Sequence, residues 1–148
     1  MANRHLFLQA GTTSQYVGRI VDLQLAPVGI PGFLLAILTH VRDRSPISPT
    51  ELSSVSGAPM TTLRDNIQRL VDGGLVRRLP HPTDGRSYRL ELTARGERIL
   101  RAADPALAEG YAALERLLPQ PLADYQATVG ELNAALERSL AELEELES

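Results

Sequence analysis

Leu63, Ile67 and Leu70 recur at helical spacing, and Thr61, Thr62, Arg64, Asp65, Gln68 and Arg69 fill the positions between them. That pattern predicts an amphipathic helix with one apolar face and one polar face. Gly73 and Gly74 stop it, because glycine enters the left-handed conformation that ends helices without a Cβ penalty. Leu75, Val76 and Leu79 then begin a short strand that carries Arg77 and Arg78. His81-Pro82-Thr83-Asp84-Gly85-Arg86 is turn chemistry, since proline presets one dihedral and Asp-Gly favours a tight reversal. From Ser87 to Leu92 the chain alternates: Tyr88, Leu90 and Leu92 are apolar, Arg89 and Glu91 polar, as in a half-buried strand. Thr93 is placed to cap a following helix.

The pattern extends in both directions. Ser48-Pro49-Thr50-Glu51 is a capping box with proline at the first helical position, and Ile47 and Leu52 are spaced as its hydrophobic staple. Gly57 and Pro59 keep that helix short. Residues 3 to about 24 predict an earlier amphipathic helix, with Leu6, Phe7 and Ala10 and then Val17, Ile20, Val21, Leu23 and Leu25 on its apolar side. Gly11-Thr12-Thr13 weakens its middle. A second helix starts near Pro31 and ends near Arg42, with Leu34, Ile37, Leu38 and Val41 on one face. After Thr93 a long helix runs through Asp104-Pro105, kinked rather than broken, because the periodicity resumes at Leu107, Tyr111 and Leu114. Pro119 and Pro121 end it. A last helix, about 122 to 146, repeats Val129, Leu132, Leu136, Leu140, Leu143 and Leu146, a stripe that needs a partner surface.

Two short-linked helices followed by a hairpin with a basic tip form the layout of a winged helix-turn-helix. The alternative is a small α+β motif without a nucleic-acid role. The run from Leu52 to Gly96, with GGLVRR, HPTDGR and LELTARGE, resembles the multiple-antibiotic-resistance-regulator (MarR) family. Its most specific piece is the wing pattern carried here by Asp84, Arg86, Leu92 and Thr93. The resemblance covers about residues 28 to 100. It implies a mainly α protein with a small β-hairpin wing, in which helices at both ends make a dimer. It also implies a DNA-binding repressor released by a small aromatic or lipophilic ligand. Two positions depart from the family: Ala58-Pro59 stands where a serine or threonine cap is usual, and Asp65 falls near a position where a basic residue is frequent.

At 148 residues the chain is one domain's worth. Within it, residues 28–93 are the expected winged helix-turn-helix, and residues 1–27 and 94–148 the dimerisation helices. Charge sharpens the picture. Residues 61 to 101 carry nine arginines against five acids, and residues 102 to 148 two arginines against ten acids. A basic centre and an acidic end argue for a localised anionic partner. All 15 basic residues are arginine, a bias that runs through positions with no binding role and so reflects composition rather than function. The absence of cysteine removes disulfides, thiolate metal sites and thiol switches. No apolar run reaches membrane-span length and the N-terminus lacks a signal-peptide core, so a soluble cytoplasmic protein is expected.

For duplex DNA the expected base readers are Thr61, Thr62, Arg64 and Asp65, near the start of the recognition helix, with Met60 placed to meet a thymine methyl. Gln68 lies farther along the same polar face. Arg69, Arg77 and Arg78 suit phosphates, and Arg86 at the wing tip suits the minor groove, aimed by a pairing with Asp84. His5, Gln9 and Tyr16 share one face of the first helix and either line a ligand cleft or edge the dimer interface. No histidine pairs with another ligand at metal spacing, so neither a metal nor a cofactor is expected. No phosphate-binding glycine loop, nucleophile elbow or paired-carboxylate frame is present, which argues against an enzyme. The expected partners are double-stranded DNA, a second copy of the chain and a small-molecule effector, with no membrane. The competing class is a winged-helix docking module whose wing face meets protein instead of DNA.

Overall fold

A computed structural model describes residues 3–146. In order, the chain forms α1 (Asn3–Leu25), α2 (Gly32–Arg44), α3 (Pro49–Ser56), α4 (Met60–Asp72), β1 (Val76–Pro80), β2 (Tyr88–Leu92), α5 (Ala94–Leu117) and α6 (Leu122–Leu146). The architecture is mainly helical with one antiparallel hairpin, as the periodicity predicts. The chain divides into two compact units, residues 1–110 and 111–148.

In the first unit the apolar faces converge. Leu34, Leu38 and Val41 of α2, Leu52 of α3, Leu63, Ile67 and Leu70 of α4, Val76 and Leu90 of the hairpin and Leu100 and Ala103 of α5 are all buried in one cluster. Aliphatic side chains supply this core, so shape rather than aromatic bulk fixes the helix crossings. Strand register places Val76 opposite Leu92, Arg78 opposite Leu90 and Pro80 opposite Tyr88. Ile47 adds a third position to the sheet, exchanging main-chain hydrogen bonds with Leu90 at 3.1 and 2.7 Å. The hairpin is thereby tied to the start of α3.

The local stops and starts have identifiable causes. Ser48 Oγ accepts from the Glu51 N–H at 3.2 Å, and the Glu51 carboxylate accepts from the Ser48 N–H at 2.8 Å, completing the capping box. Both staple residues, Ile47 and Leu52, are buried. At the end of α4 only Gly74 is left-handed (φ 66°); Gly73 stays right-handed at φ −72°, so the two glycines do not share the task expected of them. The strand begins at Val76 rather than Leu75, whose N–H is held by the Leu70 carbonyl at the end of α4 at 2.9 Å. Thr93 caps α5 as expected, its Oγ1 accepting from the Gly96 N–H at 3.1 Å. Gly96 is buried there, and a Cβ at that position would be driven into the Leu75 carbonyl and the Leu92 side chain.

One cap has no nearby sequence signal. Asp22 Oδ1 accepts from the Gly32 N–H at 2.7 Å, so α1 caps α2 from ten residues away. In the middle of α1 the Thr12 hydroxyl donates to the Leu8 carbonyl at 2.9 Å, and the helix continues unbroken through Gly11. Pro105 likewise sits inside a continuous α5. Unit two differs from unit one: no residue of α6 is buried, and Val129, Leu136, Leu140 and Leu143 are exposed. Among the described residues no helix is long and apolar enough to cross a membrane.

Candidate nucleic-acid interface

The polar face of α4 is built by subtraction. Leu63, Ile67 and Leu70 are buried, which turns Thr61, Thr62, Arg64, Asp65, Gln68 and Arg69 outward, and each of these six is exposed. Met60 differs from them, since it is half-buried and packs against the core. The approach to α4 is set by the turn after α3. Gly57 is left-handed at φ 67° and its N–H donates to the Ser53 carbonyl at 3.0 Å. Ser53 Oγ donates to the Ala58 carbonyl at 2.7 Å. Pro59 then stands at the N-cap with no side-chain cap bond. Among the described residues no N-cap side chain takes the first N–H groups of α4, and the positive end of the helix dipole lies there.

The wing tip is organised by its own side chains. His81 Nδ1 accepts from the Asp84 N–H at 3.2 Å and from the Thr83 N–H at 3.4 Å. Asp84 Oδ1 accepts from the main-chain N–H of Arg86 at 3.0 Å. The expected Asp84–Arg86 pairing is thus a main-chain contact that shapes the turn, rather than an ion pair that aims the guanidinium. A carboxylate two residues upstream reaches the backbone more readily than the end of a long side chain. Arg86 itself is exposed.

The arginines divide into two sets. Arg77 pairs with Glu91 directly across the hairpin, with Nε at 2.6 Å from the carboxylate. Arg78 donates to Gln68 Oε1 at 2.8 Å and lies over the Tyr88 ring at 4.8 Å. Arg69 lies over the Phe33 ring at 5.3 Å. The guanidinium groups of Arg64 and Arg86 have no ion-pair or hydrogen-bond partner among the described residues. Sequence reasoning missed His81, Glu91, Tyr88 and Phe33 as partners. Hairpin register could have found Glu91, whereas Phe33 lies on another helix and offers no local signal.

Two titrating groups frame the scaffold. Hydrogen bonds from the main chain and hydroxyl of Ser48 hold the Glu51 carboxyl below its ordinary value. Burial and then the nearby Arg44 lower His40, with Asp43 opposing. His5, Gln9 and Tyr16 are each exposed along α1.

The MarR family model matches residues 34–88. The multiple antibiotic resistance protein MarR of Escherichia coli (strain K12) is 33% identical over 86 residues, 58% of this chain. The matched segment spans 60% of that protein's length. Among solved structures, apo wild-type MarR from E. coli is similar over 88% of this chain and 96% of that one, with a TM-score of 0.70 at 27% identity. A mutant E. coli MarR complexed with operator DNA is similar over 88% of this chain and 92% of that one, with a TM-score of 0.76 at 27% identity.

Proposed function

We propose, on the premise that this chain belongs to the MarR family of winged-helix proteins, that it is a dimeric transcriptional repressor that binds a palindromic site in double-stranded DNA. The observation that carries the reading is the outward polar face of α4 beside two arginines, Arg64 and Arg86, that have no ion-pair partner among the described residues. An exposed helix face of this kind fits the major groove, with Thr61, Thr62, Arg64 and Asp65 nearest the base edges. The bare start of α4 suits a phosphate oxygen, which would accept from its free N–H groups. Arg86, at the far end of the hairpin, reaches a different groove, where narrowing concentrates negative potential. Arg69 is left for the flanking phosphates.

The dimer is supported by apolar surface that the single chain leaves open. Phe7, Tyr16, Val17, Ile20 and Leu23 of α1 are exposed, and so are Val129, Leu136, Leu140 and Leu143 of α6. Contiguous apolar stripes of this length mark interfaces. A two-fold dimer buries the same stripe on both copies and presents two α4 helices to two half-sites. Release by a small aromatic or lipophilic ligand rests on the family relationship. His5, Gln9 and Tyr16 are its candidate contacts. Such a ligand acts only by binding the DNA-free state better than the DNA-bound one.

Incubating the full chain with bulk genomic fragments at low salt tests the reading. Retardation of fragments, enriched on reselection for one palindromic site, is the expected result. Absence of retardation at low salt, where phosphate contacts are strongest, contradicts it.

A further inference from the structure

Arg77 and Arg78 are adjacent in β1, but a strand sends neighbours to opposite faces. The register puts Arg77 beside Glu91 on the outer face, and Arg78 with Val76, Leu90 and Leu92 on the face that packs against the helices. There Arg78 meets two groups at once. Its Nη2 donates to Gln68 Oε1 of α4 at 2.8 Å, and its guanidinium plane lies over the Tyr88 ring of β2 at 4.8 Å. Gln68 is in turn held from its other end, with Nε2 donating to Asp72 Oδ1 at 2.7 Å. Both ends of the Gln68 amide are therefore engaged inside the chain and neither is turned to a base.

The chain Asp72–Gln68–Arg78–Tyr88 joins the last turns of α4 to both strands of the hairpin. Tyr88 pairs with Pro80 at the end of the ladder nearest the wing tip, so the link clamps the hairpin where leverage on the tip is greatest. Other connections between α4 and the wing among the described residues lie at its root: the Gly73–Leu75 turn and the buried cluster of Ile67, Leu70, Val76 and Leu90. We propose that Arg78 is a positioning residue that sets the angle between recognition helix and wing, with Gln68 and Tyr88 as its seats, and that it is not a phosphate ligand. The inference rests on the DNA-binding reading above. It assigns the wing's reach to a strut rather than to the tip sequence alone. Lysine cannot replace arginine there, because an ammonium has neither the planar face that stacks on Tyr88 nor the fork that reaches Gln68 at the same time.

The test uses the full chain and its selected duplex. Affinity is measured across a salt series for wild type, Arg78→Ala, Arg78→Lys, Tyr88→Leu and Gln68→Ala. In the DNA-free protein, NMR follows the ring-current shift of the Arg78 side-chain protons caused by Tyr88. The strut predicts that all four variants lose affinity, Arg78→Lys, Tyr88→Leu and Gln68→Ala by about three- to ten-fold, as expected from one cation–π contact or one charged hydrogen bond. It also predicts an unchanged slope of log affinity against log salt. In Tyr88→Leu the ring-current shift disappears. Gln68 is exposed, so Gln68→Ala keeps the test valid if Tyr88→Leu folds poorly. A phosphate ligand gives the opposite pattern: Arg78→Lys retains affinity, Tyr88→Leu and Gln68→Ala are silent, and Arg78→Ala makes the slope shallower by about one per protomer. The NMR reading separates two failures. No ring-current shift in the free wild type means there is no strut. A shift without binding to any duplex removes the DNA reading, and the positioning role with it.

Discussion

The apolar stripe of α4 and that of α6 are written in the same code and end differently. Leu63, Ile67 and Leu70 lie in the cluster they share with α2, α3 and the hairpin, to within 1% of full burial. Along α6, Leu136, Leu140 and Leu143 repeat at the same spacings and keep 41%, 51% and 59% of their surface. Periodicity thus states that a face needs a cover, and says nothing of which molecule supplies it. The winged module finds its cover within one chain, and the stripe of the last helix stays uncovered among the described residues.

The largest expected break in this comparison is deletion of residues 122–148. If α6 is the shared stripe, the truncated chain loses the dimer and aggregates through surface that was formerly paired, which sedimentation velocity will show. A soluble truncation that still sediments as a dimer places the interface elsewhere. Next in size is a matched pair of substitutions. Ile67→Ala removes a fully buried side chain and should cost about 2–5 kcal/mol in denaturant unfolding, because the cavity in a packed aliphatic core relaxes only partly. Leu140→Ala should instead make stability depend more steeply on protein concentration, the mark of a residue buried between copies. Equal, concentration-independent losses in both variants erase the distinction.

A smaller effect tests the scaffold inside the covered region. Ser48→Ala removes the capping oxygen of α3 and should cost about 1 kcal/mol. It should also flatten the acid limb of the stability profile. The Glu51 carboxyl is lowered in the folded chain from an ordinary 4.5, chiefly by the bond from the Ser48 main chain and then by the Ser48 hydroxyl. Its contribution is therefore present above that value and is lost as pH falls through the lower folded value. His40 has the same sign at higher pH. Burial favours its neutral form in the folded chain, so its contribution is present above 6.5 and declines below it. Stability measured from pH 7 to pH 3 on wild type and Ser48→Ala checks both. Because Ser48→Ala keeps the main-chain bond, an unaltered acid limb in this variant removes only the Ser48 hydroxyl as its source.

What could be read in advance depended on distance along the chain. The capping box, its staple, the wing turn and the inward face of α4 are set by residues within a turn or two of one another, and all appear where the pattern puts them. The same holds for the unbroken α5, since one proline is tolerated when the apolar period continues on both sides. Asp22 capping α2, Phe33 beneath Arg69 and Gln68 receiving Arg78 depend on how elements meet, which no local spacing encodes. Near neighbours also misled. Two glycines stood where one left-handed residue was needed, and Asp84 took the main-chain N–H of Arg86 in place of its guanidinium. Polarity alone sent Arg77 and Arg78 to the same kind of partner, whereas strand parity separates them.

The claim that the wing and α4 together engage DNA is tested most directly by a salt series on wild type, Arg86→Ala and Arg64→Ala, each with the selected duplex and a scrambled one. Arg86→Ala should weaken binding to both duplexes and make the log–log salt slope shallower by about one per protomer, because one phosphate-directed charge is lost. Arg64→Ala should cost about 1–3 kcal/mol on the selected duplex alone, because a base contact is lost. If Arg86→Ala keeps the wild-type affinity and the wild-type slope, the wing does not touch DNA and the account is wrong at its centre.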